Sequence, residues 1–147
     1  MSSPSRAAIV TGASRGVGRA TALALARQGY AVAVNYSTSR DEAENVVHQI
    51  EGSGGLAIAI QANVADNGAC KALAAQALDT FGRLDVLVNN AGVTSFIPHN
   101  ALDQVRDEDW DRILGVNLIG PFQMVRAAMP ALAASGNGAI VNVASIA

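Results

Sequence analysis

Val10-Thr11-Gly12-Ala13-Ser14-Arg15-Gly16-Val17-Gly18 follows the apolar run Ala7-Ala8-Ile9-Val10 and opens an Ala-rich helical stretch. A glycine turn between a buried strand and a helix constrains the fold strongly. Gly12 allows a tight turn out of the strand, Gly16 lets a backbone approach a pyrophosphate, and Gly18 lets the helix pack closely on the sheet. The helix start then offers free N–H groups and partial positive charge to phosphates. The spacing is G-x3-G-x-G, not the commoner G-x-G-x-x-G. Three glycines in isolation also fit an ordinary turn. Between a strand and a helix they read as a dinucleotide-phosphate site contributed by Gly12, Ser14, Arg15, Gly16, Val17 and Gly18.

The rest of the chain repeats the strand–helix alternation. The first helix runs from Val17 to Gln28 and closes at Gly29. Ala31 to Asn35 is a second strand. Ser39 and Glu42 read as a capping box for a helix whose apolar positions, Ala43, Val46, Val47 and Ile50, fall at helical spacing. Leu56 to Ile60 is a third strand. Asp66 is the N-cap of a helix carrying Leu73, Ala77 and Phe81 and stopping at Gly82, and Leu84 to Val88 is a fourth strand. A helical region from about Glu108 to Leu132 contains Pro121 and Pro130, which predict a kink or break. Ile140 to Val143 is a fifth strand. Such alternation implies right-handed βαβ crossovers and a parallel sheet covered on both faces. The expectation is one α/β unit over 1–147, a Rossmann-type doubly wound sheet with strand order 3-2-1-4-5.

Composition excludes several functions. Net charge is -2, and the ten basic residues, nine of them Arg, are scattered without a run, so no footprint for nucleic acid or an anionic membrane is visible. The lone Cys70 excludes an intramolecular disulfide and a Cys-based metal site, and no metal site is expected elsewhere. Asp107-Glu108-Asp109 reads as helix N-terminal charge. His48 and His99 read as surface residues, and Met124 and Met129 as packing. With no apolar leader or membrane-length stretch, a cytoplasmic protein is expected.

The end of the second strand bears on the choice of nicotinamide nucleotide. A carboxylate there bonds the ribose hydroxyls of NAD and repels a 2′-phosphate. This chain has Asn35-Tyr36-Ser37-Thr38-Ser39-Arg40, with no acid before Asp41. Hydroxyls and a guanidinium suit a phosphate, with Arg15 approaching from the glycine loop, so NADP(H) is favoured over NAD(H). The plainer alternative is that Ser39 caps a helix and Arg40 is solvated.

Thr11-Gly12-x3-Gly16-x-Gly18, Asn89-Asn90-Ala91-Gly92, Asn117 in Val116-Asn117-Leu118-Ile119-Gly120, and Ser145 after Ile140-Val141-Asn142-Val143 together resemble the short-chain dehydrogenase/reductase family, in its 3-oxoacyl-acyl-carrier-protein reductase-like group. The resemblance covers nearly the whole chain. It implies that Asn89, Ala91 and Gly92 stabilise the sheet and border the adenine-ribose side of the cofactor. Asn63 and Val64 flank the adenine; many relatives have Asp at the first of these. Asn117, in a locally distorted helix, holds a water of a proton relay. Ser145 bonds the substrate carbonyl at the carboxyl end of the fifth strand. The implied reaction is hydride transfer between NADP(H) and a ketone or secondary alcohol, in a homo-oligomer, by resemblance a tetramer that uses the helix around Asn117.

One departure accompanies the match. The family's general acid/base is a Tyr about a dozen residues beyond this Ser, followed four later by a Lys that lowers its pKa. Neither position falls within 1–147, and Tyr30, Tyr36 and Lys71 are not expected to substitute. The chain by itself is therefore expected to be inactive and poorly soluble, with a bare apolar edge at Ala139 to Ala144. The alternative from another class is a non-catalytic nicotinamide-nucleotide-binding protein.

Overall fold

The computed structural model describes residues 4–145. Five parallel strands, β1 (Arg6–Val10), β2 (Tyr30–Tyr36), β3 (Ala57–Gln61), β4 (Val86–Asn89) and β5 (Ala139–Asn142), form one sheet in the order β3-β2-β1-β4-β5. This is the Rossmann-type order expected from the alternation. The register pairs Val10 with Val34 and Val88, which aligns the carboxyl ends of three strands along one rim.

Both sheet faces are covered, which explains why β1 and β2 read as unbroken apolar runs. Helices α1 (Gly16–Arg27) and α2 (Arg40–Gly52) bury Ala22, Ala43, Val46 and Ile50 against Val10, Val32 and Val34. On the other face, α3 (Asn67–Phe81) and α5 (Gly120–Ala134) bury Leu73, Ala77, Phe81, Met124, Ala128 and Leu132 against Ile9, Ala33 and Leu87. Met129 is 45% exposed, so only Met124 has the packing role expected of both.

The predicted caps hold at α3. The Asp66 carboxylate accepts from Ala69 N at 2.6 Å, and Gly82 closes the helix with a φ of 74°. The Ser39–Glu42 box does not form, because Ser39 makes no side-chain cap hydrogen bond to α2. At α4 (Asp107–Leu114) the Asp109 carboxylate accepts from Arg106 N at 3.1 Å, while Arg106 makes no side-chain cap.

The long helical region is interrupted, at a different point from either proline. Residues Gly115–Ile119 form a π-helical segment between α4 and α5. Pro121 lies in the first turn of α5, where a missing N–H costs little, and Pro130 remains inside the helix. At the edge, Ile140 packs toward the α3/α5 side, whereas Val141 and Val143 are exposed. Among the described residues, no helix is long and apolar enough to cross a membrane.

Candidate functional site

The glycine loop leaves β1 through Gly12, whose φ is 59°. Thr11 and Asn90 hold it in place. The Thr11 hydroxyl accepts from Asn90 N at 2.9 Å and Ala91 N at 3.0 Å, and the Asn90 amide donates to Thr11 O and Gly12 O at 3.1 Å each. Gly18 lies under this latch; a Cβ there would overlap Gly12 O and the Asn90 amide nitrogen, both well inside 3.0 Å. Gly16 is different. Its φ is 57°, and a Cβ there would enter open space. The start of α1 has no acidic residue in its first turn and no side-chain cap from Arg15.

Asn35 supports the loop from the neighbouring strand. It is 1% exposed. Its Oδ1 accepts from Gly12 N at 3.2 Å, and its Nδ2 donates to Ile60 O and Ala62 O. Asn35 therefore shapes the floor, with its amide engaged by the protein.

A cleft of about 470 Å³ opens over this rim, lined by Gly12, Ser14, Arg15, Asn35, Tyr36, Ser37, Thr38, Asn63, Val64, Ala91 and Gly92 among others. Ten of the sequence-selected residues thus share it with Val64. Asn63 forms a turn through Ala65 N at 3.0 Å, and the Val64 carbonyl is fixed by Gln123 Nε2 at 2.9 Å. Gly120 lets α5 reach this wall, since a Cβ there would stand 2.8 Å from Val64 Cγ2.

Arg40 is outside the lining. Its Nε donates to the Tyr36 hydroxyl at 3.0 Å and lies 3.5 Å from Glu44. In this arrangement the guanidinium serves the surface of α2, and Arg15 is the cleft's cation. Val17 is 61% exposed at the start of α1 and, like Gly16 and Gly18, does not line the cleft.

A second cleft of about 640 Å³ shares Asn90 to Val93 with the first and adds Asn89, Thr94, Asn117, Pro121, Asn142 and Ser145. Asn89 turns away from the first cleft and donates to Asn142 Oδ1 at 2.9 Å, joining β4 to β5. Asn117 sits within the π-helical segment. Its Oδ1 accepts from Val93 N and its Nδ2 donates to Val93 O, both at 2.8 Å. The side chain therefore pins the loop after β4. Ser145 is exposed on the same wall, beyond the carboxyl end of β5.

Sequence reasoning passed over Thr11 and Asn90 as site residues. The motif Asn89-Asn90-Ala91-Gly92 contained the signal, but spacing does not show which amide turns toward the glycine loop.

Residues 6–147 match the short chain dehydrogenase family model, and the chain belongs to that family. It is 46% identical over 141 residues to the 3-oxoacyl-acyl-carrier-protein reductase FabG of Staphylococcus aureus, covering 96% of this chain and 56% of that protein. Among solved structures, one from Burkholderia xenovorans assigned to the short-chain dehydrogenase/reductases superposes with a TM-score of 0.93 at 36% identity, covering 99% of this chain and 61% of that one. A short chain dehydrogenase from Burkholderia cenocepacia in complex with NADP gives a TM-score of 0.88 at 39% identity, over 96% and 56% of the two chains. The chain thus spans a little over half the length of the relatives it matches.

Proposed function

We propose that the protein is an NADP(H)-dependent oxidoreductase that interconverts a ketone and a secondary alcohol, with a 3-oxoacyl or related carbonyl compound as substrate. The observation that carries this reading is the continuity of the two clefts. One has a glycine cradle and Arg15; the other holds Ser145 and Asn117, and they meet at Asn90 to Val93. The names of the relatives support the substrate class, and the NADP complex supports the cofactor.

The cradle fits a dinucleotide. Gly12 and Gly16 adopt positive φ, the space above Gly16 is open, and the start of α1 faces it without a carboxylate. When bound, the nicotinamide supplies hydride chemistry. This chain's residues bind and orient. Gly12, Ser14, Gly16, Val17 and Gly18 form the phosphate-binding turn and its helix. Arg15 with Ser37 and Thr38 receives the 2′-phosphate, and Arg40 contributes through Tyr36. Asn63 and Val64 flank the base, while Ala91 and Gly92 border the ribose and Asn89 braces the sheet behind them. Ser145 donates a hydrogen bond to the substrate oxygen as negative charge develops there. Asn117 holds the loop after β4 through Val93, and its second amide N–H and remaining Oδ1 lone pair hold the water of the proton relay. Neither Tyr30 nor Tyr36 lines the cleft that holds Ser145, so neither supplies the proton there.

Self-association belongs to the same proposal. Trp110, Leu114, Leu118 and Phe122 stand exposed at four-residue steps along the helix that carries Asn117, a stripe suited to a second copy in a tetramer.

The test is NADPH oxidation by the intact protein with a 3-oxoacyl thioester, alongside Ser145→Ala. Loss of one oxyanion donor is expected to lower kcat roughly 10²-fold with NADPH affinity unchanged. Tight NADPH binding without carbonyl reduction, across a ketone panel, would favour the non-catalytic alternative.

A further inference from the structure

The segment after β4 is held at two successive points by one helix. Asn117 takes both backbone groups of Val93. Two residues on, the Ser95 hydroxyl donates to Asp109 Oδ1 at 2.7 Å and accepts from an Arg112 guanidinium nitrogen at 2.5 Å. The same nitrogen of Arg112 donates to Thr94 O at 3.3 Å. Val93 and Thr94, the residues between and beside these anchors, line the cleft that contains Ser145.

Asp109 is only 5% exposed. Its two carboxylate oxygens have separate tasks. Oδ2 accepts from Arg106 N at 3.1 Å and starts α4. Oδ1 is not needed for that cap; it reaches out of the helix to Ser95, fourteen residues earlier in the chain. Charge-assisted hydrogen bonds of this kind are short and directional, and they fix geometry as well as contributing energy. A wall that must meet a reacting carbonyl to within a fraction of an ångström gains from such support.

We infer that Asp109, acting through Ser95 and Arg112, is a positioning residue for the carbonyl substrate: the clamp holds Val93 and Thr94 in place in the cleft that Ser145 also lines. The inference rests on the proposed reductase reading. Ser95 and Thr94 lie outside the lining of the first cleft, and Val93, which both clefts share, keeps its own anchor at Asn117, so loss of the Ser95 bridge is expected to leave cofactor affinity nearly unchanged.

Ser95→Ala is the cleanest test, because it removes the bridge and leaves the Oδ2 cap of α4 intact. With a 3-oxoacyl thioester as probe, the variant is expected to raise KM fivefold or more, with NADPH affinity within twofold of wild type and the thermal midpoint nearly unchanged. Asp109→Asn is expected to act in the same direction, and the double variant to lose no more than the worse single one, since the two groups form one unit. Unchanged KM in a folded Ser95→Ala variant, or a parallel loss of NADPH affinity, overturns the inference. Hydrogen exchange separates this from failure of the reductase reading. Whether or not the wild type reduces the probe, amides of residues 93–97 in Ser95→Ala are expected to exchange at least tenfold faster, while those of 86–89 do not. Unchanged exchange at 93–97 overturns the clamp even where the activity is confirmed.

Discussion

Replacing Gly18 with Ala is expected to damage this fold far more than a methyl group in a helix ordinarily does. The added Cβ would fall on Gly12 O and on the Asn90 amide. Overpacking at a site bounded by backbone costs about 1–3 kcal/mol. Displacing the Asn90 side chain also breaks its bonds to Thr11 O and Gly12 O, at about 0.5–1.5 kcal/mol each. Exchanging Gly for Ala within a helix returns about 1 kcal/mol. The net loss is about 1–5 kcal/mol, with NADPH affinity falling as well, because Gly12 belongs to both the latch and the cradle. The assay is urea denaturation followed by circular dichroism, with Gly52→Ala as control; that glycine ends α2 with nothing within 4 Å of an added Cβ. The control is expected to be neutral or slightly stabilising. A Gly18→Ala variant as stable as Gly52→Ala, and binding NADPH as wild type does, would refute the latch.

Further expectations concern titratable groups held by the fold. The Asp85 carboxylate accepts from Ala7 N at 2.8 Å and from Arg83 at 2.6 and 2.9 Å, and these bonds, Arg83 first, hold its pKa below the usual carboxylate range. Asp85→Ala is expected to cost about 1–3 kcal/mol in the same urea assay, mainly by orphaning Ala7 N. Because the folded pKa is the lower one, this contribution is full above about pH 4 and lost as pH falls, so the wild-type advantage should shrink on acidification. Asp109, lowered to about 2 by Ser95 and then by Arg106 N, adds to the same acid loss. Cys70 is fully buried, and burial, then Asp66, pushes its thiol up to about 11. It is expected to resist a disulfide reagent at pH 8 until urea unfolds the chain. Stability should decline as pH rises from about 9 towards 11, where the unfolded thiol ionises and the folded one does not.

The sheet order, the glycine turn and the α3 caps were legible because each depends on neighbours in sequence: apolar runs bounded by turns, a glycine at the αL position, Asp66 three residues before Ala69. Elements decided by distant partners were not. Ser39-x-x-Glu42 has the letters of a capping box and forms none, whereas Asp109 reaches back to Arg106 N with no Ser or Thr before it, and Ser95 joins it from fourteen residues earlier. The prolines predicted a kink or break in the long helix, while the family resemblance set a distortion at Asn117; the π-helical segment lies at Gly115–Ile119, where Asn117 bonds Val93 and Gly120 meets Val64. The same limit applies within the site. The sequence shows a run of polar residues after β2, but not that Arg40 turns to Tyr36 and Glu44 while Arg15 lines the cleft.

The central claim is that this cleft takes a nicotinamide dinucleotide carrying a 2′-phosphate. Calorimetric titration of the intact protein with NADPH and with NADH tests it most directly, repeated on Arg15→Ala. One charge-assisted bond to the phosphate contributes about 1.5–3 kcal/mol, so NADPH is expected to bind about tenfold or more tighter than NADH. Arg15→Ala should remove most of that difference while leaving NADH affinity nearly unchanged. Equal or tighter binding of NADH by the wild type would contradict the account.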